Sequence, residues 1–369
     1  MIMSNNILIF CTLFDSNYLD KGIVMIRSLS KVNCNFRIYV LAMDDKCFRV
    51  LSEQSMKEVI PIHLDDFIKK MDLSESHTTR SRAEFCWTCT SHLIDYVLTE
   101  CQEEICTYLD ADLYFYSNPS CLLSEMGEKT VQIIKHGFTN SLQDKVQRKH
   151  SGTYCIEFNT FKKTPDSMEL LHWWEQKCRL SCSVTSTDSE VFGDQMYIEK
   201  WGEKDNVSVV NHPGGGVAPW NIGQYRMTSN PNSDAIMLRK RRKKLSFPLV
   251  FYHFHRLEYI DNHKVNINVY GRFWIIDNKL VKRLYLPYLR ELDTVKRELE
   301  SKYGLSVILT HHPAYTEVTY ERVVEKRSIF ARIKRITLKK LNSFVLHAFL
   351  DCRREVRLLF HGKNNVVKF

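Results

Sequence analysis

The sequence predicts an α/β fold in which a central, mostly parallel sheet is flanked by helices. Apolar strand-like runs alternate with segments of helical spacing from residue 6 to about residue 180, a pattern typical of parallel strands joined by crossover helices. The clearest strand, at 105–109, runs directly into Asp110 and Asp112. Ligands bind at the carboxyl ends of strands in open α/β sheets. Two aspartates one residue apart at such an edge can offer oxygens to one hard divalent cation.

The other predicted elements follow from apolar periodicity and from capping and turn residues. The expected strands are 6–14, 36–43, 59–64, 131–134, 154–161, 207–210 and 249–254. The expected helices begin after Asp15, at 46–57, at 80–99 and at Pro165, with further helical patterns at 277–303 and from 323 onward. We expect a polar loop through His150 and a glycine-rich turn at 211–222. A main domain over 1–278 and a C-terminal helical extension over 279–369 are therefore predicted.

Length and composition describe a chain that folds. With 369 residues, 44% of them hydrophobic and 12% aromatic, it can bury a full core. The first residues, MIMSNNILIFCTLFD, lack a basic segment and a cleavage site, so we interpret them as a first strand and not as a signal peptide. Twelve cysteines without an export signal, including the pair Cys86 and Cys89, are expected to be reduced and mostly buried thiols. We expect a cytoplasmic protein.

The positive charge is concentrated in the C-terminal tail. The net charge is +9, and residues 321–369 alone carry thirteen Lys or Arg against four Asp or Glu, so the rest of the chain is neutral. This argues against a body that binds nucleic acid. In the tail, apolar residues recur between basic ones: Ile329, Ile333, Ile336, Leu341 and Phe344. The pattern predicts either a peripheral helix on the inner face of the cell membrane or a helix docked on the body.

Several motifs stand in a distinctive order around the aspartate pair. They are a TLFDSNY opening, a helix that carries Arg82, the stretch YLDADLYF, an FGDQ segment and a late FYHFH strand. This order resembles nucleotide-sugar glycosyltransferases of the GT-A fold, and glycosyltransferase family 8 in particular, over roughly residues 6–260. The resemblance implies a GT-A-like (Rossmann-like) sheet. It also implies transfer of a sugar from a nucleoside diphosphate.

The resemblance implies a metal site at Asp110 and Asp112, which would hold Mn²⁺ or Mg²⁺ against the diphosphate. The family takes a third ligand from a histidine followed by Phe or Tyr on a late strand, and His253 with Phe254 matches. An imidazole ligand would favour Mn²⁺. Three alternatives stay open: a solvated aspartate pair, a histidine that is only a core residue, and His255 as the ligand, since alternation places both histidines on one face.

Donor contacts are implied for the first β-α loop. By resemblance, Asp15 would accept hydrogen bonds from a uracil-like base or its ribose, and Tyr18 would stack on it. Arg82 would neutralise phosphate or orient Asp110. Asp15 is also explained as a helix N-cap, and Arg82 as one side of a surface salt bridge with Glu84 or Asp95.

The late histidine motif departs from the family. Family 8 continues with a glycine and then Lys-Pro-Trp, whereas this chain reads HFHRLEYI. We hypothesise that Arg256 replaces the missing lysine at the diphosphate. The glycine-rich loop lacks the ending of a phosphate-binding P-loop, so it is interpreted chiefly as a turn, with Trp220 as a possible face for a sugar.

Asp194 and Gln195, in FGDQ, match the family's Asp-Gln element beside the anomeric carbon. Family 8 enzymes retain the anomeric configuration, so Asp194 would stabilise and orient and would not attack. In an inverting enzyme it would instead be the first candidate for general base.

The sequence therefore predicts a metal-dependent hexosyltransferase that uses a nucleoside-diphosphate sugar, with UDP as the expected nucleotide. The acceptor is expected to be a glycan or a lipid-linked saccharide, in the setting of polysaccharide biosynthesis. Two rivals are a nucleotidyltransferase of related fold and a non-catalytic, membrane-associated adaptor. The first needs a glycine-rich phosphate loop after the first strand, and TLFDSNYLDKG lacks one.

Overall fold

A computed structural model describes residues 7–54, 56–138, 142–183, 191–230, 233–241, 243–261, 264–267, 281–306 and 366–368. Its centre is a seven-stranded sheet in the order β3-β2-β1-β4-β7-β6-β8. The strands are β1 (Leu8–Phe14), β2 (Phe36–Ala42), β3 (Val59–His63), β4 (Ile105–Leu109), β6 (Val131–Lys135), β7 (Tyr154–Lys162) and β8 (Val207–Val209), with β5 (Leu113–Phe115) outside this sheet.

The sheet is mostly parallel. The strands β1, β2, β3 and β4 run parallel to one another, and β7 runs antiparallel to both β4 and β6. Both faces of β1 and β4 are covered, which explains why their sequences are continuous apolar runs without polar alternation. The predicted fold class, a mostly parallel sheet flanked by helices, is confirmed.

Helices cover both faces of the sheet. They are α1 (Leu19–Lys31), α2 (Asp45–Glu53), α3 (Leu64–Lys70), α4 (Ser74–Thr79), α5 (Arg82–Thr99), α6 (Ser120–Leu123), α7 (Leu142–Ser151), α8 (Pro165–Leu180) and α9 (Leu286–Tyr303). One core cluster includes side chains of α1, α2 and α9, and a second includes those of α3, α5 and α8. The two clusters are the two layers that cover the sheet.

Local sequence signals set the helices that frame the site. Ser81 and Glu84 form a capping box that starts α5, and α5 leads into β4 and the aspartate pair. Thr164 caps α8, where Pro165 takes the first helical position, and Arg82 is the first residue of α5, as predicted.

Smaller sheets complete the fold. A two-stranded ribbon joins β5 to β12 (Phe251–His253). The strands β9 (Tyr225–Asn230), β10 (Ser233–Lys240) and β11 (Ser246–Pro248) form an antiparallel sheet. A third sheet contains β13 (Glu258–Asp261), β14 (Lys264–Asn266) and β15 (Val366–Lys368).

Two sequence expectations differ from the structure. The prediction of a polar loop through His150 is wrong, because α7 occupies most of that segment. The helix was missed because its polar sequence shows little apolar periodicity. The sheet of β9, β10 and β11 was not predicted, since residues 225–248 mix strand formers with many basic residues.

The C-terminal part of the described chain packs against the body. A π-helical turn, Val281–Tyr285, precedes α9, and Arg27 on α1 pairs with Glu298 on α9 at 2.6 Å. The predicted boundary near residue 278 stays a prediction, and the basic amphipathic stretch at 328–344 lies outside the described residues. Among the helices of the described residues, none combines the length and apolar composition that crossing a bilayer requires.

Candidate metal and nucleotide site

Strand pairing brings the aspartate pair to His253. β4 ends at Leu109, so Asp110 and Asp112 stand at the carboxyl edge of the sheet. The chain then continues into β5, where Leu113 lies opposite His253 in the antiparallel register with β12. The backbone N–H of Phe254 donates to the carbonyl of Asp112 at 2.9 Å. Two stretches far apart in sequence are therefore held in register at the predicted site.

Of the three predicted ligands, His253 contacts Asp112 directly and approaches Asp110 at a longer distance. Nε2 of His253 is 2.9 Å from Oδ1 of Asp112 and 3.6 Å from Oδ2 of Asp110. His255 is close as well, because ligand atoms of Asp112, His253 and His255 all lie within 4.8 Å of one another. β12 ends at His253, so His255 lies in the turn that follows, and both histidines stand beside Asp112. The choice of ligand then depends on which of the two imidazoles is held in position by its neighbours.

Glu157, on β7, fixes the orientation of His253. Its Oε2 accepts a hydrogen bond from Nδ1 of His253 at 2.5 Å, and both side chains are almost fully enclosed. The other oxygen, Oε1, is buried and has no hydrogen-bond partner among the described residues. A carboxylate that accepts from one ring nitrogen sets the tautomer and directs the other nitrogen outward, as in many metal sites. Of the two histidines, His253 is the one that a buried carboxylate orients in this way in the described part of the chain.

Burial and charge together separate the pKa values of the cluster. Burial alone would lower the pKa of His253, but the Asp112 carboxylate raises it well above its ordinary value. Burial opposes ionisation of Asp112, yet His253 holds the pKa of that carboxyl below its usual range. Burial raises the pKa of Asp110 to about 7. Burial lowers the pKa of His255 to about 3, and His253 adds to this effect. The cluster therefore concentrates negative charge around one cationic group.

The first β-α loop brings Asp15, Tyr18 and Arg82 together. Asp15 accepts hydrogen bonds from the backbone N–H of Asn17 at 2.9 Å and of Tyr18 at 3.1 Å, so it is an N-cap. Arg82 lies 2.6 Å from Asp15 and 3.3 Å from Asp44. Its described salt-bridge partners are therefore these two acids, and not the acids on its own helix that the sequence suggested. The loop offers a carboxylate, a partly exposed ring and a guanidinium on one edge of the fold.

Lys21 is a charged residue of the site that the sequence analysis missed. It is buried at the start of α1, and its Nζ lies 3.9 Å from the centre of the Tyr18 ring. Burial alone would lower its pKa, but Tyr18, Asp20 and Asp112 together raise it. Lys21 therefore stays cationic within electrostatic reach of the aspartate pair.

Asp194 is buried near the pair, whereas Gln195 is half-buried in the following turn. The indole N–H of Trp174 donates to the carbonyl of Asp194 at 2.9 Å. Burial, with a smaller effect of Asp110, raises the pKa of the Asp194 carboxyl to about 7. The electrostatic influence of Asp110 shows that Asp194 belongs to the same neighbourhood.

Arg256 lies two residues beyond β12 in an unusual backbone conformation. Its φ is +54°, in the left-handed region that glycine adopts without strain, and its side chain is exposed. Trp220 packs edge-on against His253 and His255, with ring centres 5.4 Å and 5.3 Å apart.

Glu157 and Lys21 each left a signal in the sequence. Glu157 stands in YCIEFNTFK, and a glutamate inside an otherwise buried strand must be paired. Lys21 occupies the first turn of a helix whose next turn, with Val24 and Met25, is apolar, so a fully solvated lysine is not expected there. Neither signal identifies the whole surroundings, because those depend on β7 meeting the late strand β12 and on α1 meeting the aspartate pair.

Two curated proteins of Bacillus subtilis (strain 168) are similar in sequence. The uncharacterized protein YfnD is 27% identical over 297 residues, which cover 80% of this chain and 91% of YfnD. The uncharacterized protein YfnF is 30% identical over 254 residues, which cover 66% of this chain and 80% of YfnF. No protein-family model matches the chain.

Solved structures with a similar arrangement are glycosyltransferases by name. The galactosyltransferase LgtC, in complex with donor and acceptor sugar analogues, has a TM-score of 0.43 and 12% identity, covering 75% of this chain and all of LgtC. Mouse xyloside xylosyltransferase 1 has a TM-score of 0.42 and 11% identity, and the match covers 68% of this chain and 99% of the mouse protein. The glycosyltransferase GlyE of Streptococcus pneumoniae TIGR4 has a TM-score of 0.39 and a sequence identity of 18%, and the match covers 59% of this chain and 48% of GlyE. These TM-scores are too low to carry an argument, so the fold class of this chain is taken from its own strand order.

Proposed function

The chain belongs to the same family as Bacillus subtilis YfnF, and we propose that it is a glycosyltransferase that takes its sugar from a nucleoside-diphosphate sugar. We propose further that the reaction depends on a divalent metal ion, that the donor is a UDP-sugar, and that the anomeric configuration is retained. The acceptor in this proposal is a glycan or a lipid-linked saccharide.

The observation that carries the proposal is the convergence of Asp110, Asp112 and His253. They come from two strands joined only by tertiary pairing, and Nε2 of His253 approaches both carboxylates at 2.9 Å and 3.6 Å. A solvated aspartate pair would not be enclosed with a histidine. Glu157 holds the other ring nitrogen of His253, so Nε2 is directed at the aspartates in the orientation that a metal ligand needs.

This donor set fits a divalent cation. Asp112 is held ionised, Nε2 of His253 is directed at the pair, and oxygen together with imidazole ligands favours Mn²⁺ over Mg²⁺. When bound, the ion supplies Lewis-acid neutralisation of the diphosphate leaving group. His255 is the second imidazole within ligand distance of Asp112 and remains the alternative ligand.

The chain's own cations and ring would hold the rest of the donor. Lys21 is a buried positive charge beside Tyr18, suited to the diphosphate, whose negative charge grows as the glycosidic bond breaks. The partly exposed Tyr18 ring would stack on the base, and Asp15, oriented by Arg82, would accept from the base or ribose. Arg256 would approach the phosphates from the other side.

Asp194 and Gln195 would face the acceptor side. Because the pKa of Asp194 is raised to about 7, this carboxyl is only partly ionised at neutral pH. In a retaining reaction it would orient the acceptor hydroxyl, whose proton passes to the leaving phosphate oxygen. Product NMR tests this: an inverted anomer would overturn retention and make Asp194 the general base.

A screen of nucleotide sugars tests the activity. With Mn²⁺ present, we expect one sugar nucleotide to be hydrolysed, and we expect Asp112→Asn to slow this by at least about 10²-fold through loss of a metal ligand. Asp66→Asn, at an exposed position on α3, is the matched control and should leave the rate unchanged. Absence of any Mn²⁺-dependent binding or turnover would favour the non-catalytic adaptor.

The tail is proposed to bring the enzyme to an anionic membrane surface, where a lipid-linked acceptor would be found. Residues 321–369 carry a net charge of +9, which would attract anionic lipids. Replacing Lys339 and Lys340 by Glu leaves β15 intact and should reduce sedimentation with anionic vesicles. Equal sedimentation of both proteins would contradict attachment through the tail.

A further inference from the structure

A second group of carboxylates and a histidine lies away from the aspartate pair, where α5 packs on α8. Asp95 comes from α5, and His172 and Glu175 come from α8, three residues apart and therefore on one face of that helix. One oxygen of each acid and one ring nitrogen of His172 lie within 4.8 Å of one another. Nε2 of His172 is 3.5 Å from Oδ1 of Asp95.

The two acids of this group are buried without sufficient partners. Asp95 and Glu175 are each only 8% exposed. Oε1 of Glu175 has no hydrogen-bond partner among the described residues, and Oδ1 of Asp95 has only the long approach of His172. Enclosing an ionised carboxylate without a partner is costly, so such a group is either protonated or compensated by a cation. Burial, with Asp95 nearby, raises the pKa of Glu175 to about 8.

The neighbouring arginine does not supply the missing charge through a contact. Arg179 acts on Glu175 at a distance, but its guanidinium donates to the backbone carbonyls of Met71 and Asp72, the latter at 2.6 Å. The described contacts of Arg179 thus hold it to the chain beside α3. The described contacts of Arg179 therefore leave the two acids without a neutralising partner.

We propose that Asp95, His172 and Glu175 form a second metal site, for a divalent transition-metal ion such as Zn²⁺, which joins α5 to α8. One imidazole and two carboxylates with a water in the fourth position is a ligand set that Zn²⁺ accepts. His172 is half exposed, so the ion has a path from solvent. A bound divalent ion would neutralise the charge of the two buried acids.

The position of this site gives it a structural role. α5 leads directly into β4 and the aspartate pair, and α8 follows β7, the strand that carries Glu157. An ion that joins the two helices would stabilise the layer behind those strands without touching the donor. The inference does not depend on the proposed glycosyl transfer and is tested without an activity assay.

Metal titration in a variant with a silenced first site tests the proposal. Metal-free Asp112→Asn protein is titrated with Co²⁺, whose visible absorption reports coordination by protein ligands. We expect one Co²⁺ per chain, with the affinity reduced at least tenfold by adding His172→Ala. Glu169→Gln, at an exposed position of the same helix, is the control and should bind as before. Equal binding with and without His172→Ala would overturn the site.

Thermal unfolding provides a second readout. In the Asp112→Asn background, Zn²⁺ should raise the Tm, and Glu169→Gln should keep that rise. Glu175→Gln should abolish it, and this amide variant is expected to fold because it removes a buried acid at constant volume. An equal Zn²⁺-induced rise in the Glu175→Gln protein would overturn the proposal.

Discussion

The two groups that join carboxylates to a histidine differ in how the histidine is held. His253 is 3% exposed, and its Nδ1 is fixed by the buried Glu157 while its Nε2 faces the aspartate pair. His172 is 50% exposed, and the contact recorded for it in the described chain is the 3.5 Å approach to Asp95. The first histidine is oriented before any ligand arrives. The second would be oriented by the ligand itself.

The two groups therefore use the same kinds of side chain, carboxylates and a histidine, but differ in which of them the fold holds in place. Removing a histidine whose two ring nitrogens both contact buried acids should lower the free energy of unfolding, because those acids lose the positive charge that compensates them. Removing a histidine at the surface should change the free energy of unfolding little. The buried acids beside it are already uncompensated in the folded chain, which raises their pKa. The following predictions test this comparison.

The largest expected effect is on stability. His253→Ala should lower the free energy of unfolding by about 3–5 kcal/mol, because it leaves the fully buried Glu157 without its partner. His172→Ala, at a half-exposed position, should change it by less than about 0.5 kcal/mol. Urea denaturation of the two metal-free variants measures both values. Similar losses in the two would show that both histidines are braced alike.

The second prediction concerns the pH dependence of stability. The folded pKa of Glu175, about 8, lies above its ordinary value of 4.5, so the folded state binds a proton that the unfolded state has released. Stability should therefore be highest below pH 4.5 as far as this group is concerned, and decline as pH rises towards 8, by on the order of 5 kcal/mol.

Glu175→Gln should flatten this decline, measured by urea denaturation in the presence of a chelator. Glu169→Gln, exposed on the same helix, should keep the wild-type slope. An unchanged slope in Glu175→Gln would mean that Glu175 is already paired in the folded chain.

A third prediction tests the bracing of His253. Glu157→Gln keeps the shape of the side chain but removes its charge, so Nε2 of His253 becomes a weaker and less oriented donor. We expect the apparent affinity for Mn²⁺ to fall about 10- to 100-fold. Saturating Mn²⁺ should recover most of the turnover, whereas a defect that metal does not relieve would point to a general disturbance of β7.

The smallest expected effect is at the rim of the first site. Arg256→Gly places glycine at φ +54° and should change stability by no more than about 1 kcal/mol, in the stabilising direction if backbone strain dominates. If Arg256 contacts the diphosphate, the KM for the donor should rise while folding is preserved. An unchanged KM would remove Arg256 from the donor site.

The sequence predicted the parts of the fold that depend on local pattern. The opening β1-α1 unit, α5 with its capping box and the end of β4 at the aspartate pair follow from periodicity and capping residues. α7 and the sheet of β9, β10 and β11 do not, since polar and basic residues hide their periodicity and tertiary contacts must select the element.

The same division applies to the candidate site. Asp110, Asp112 and His253 were expected from motif order, and they lie in contact. Glu157, Lys21 and the group at Asp95 escaped prediction because each is defined by a partner on another element. A buried charge is visible in the sequence as an anomaly. The contact that satisfies it depends on which strands and helices meet.

The register of β5 with β12 has a consequence for how the protein is made. The two aspartates are synthesised long before His253, and only the pairing of Phe254 with the carbonyl of Asp112 brings the histidine to them. A slip of one residue would turn His253 to the opposite face of its strand. The proposed three-ligand set would therefore be complete only after the late strand has docked in this register, so metal affinity would report on whether β5 and β12 are correctly paired.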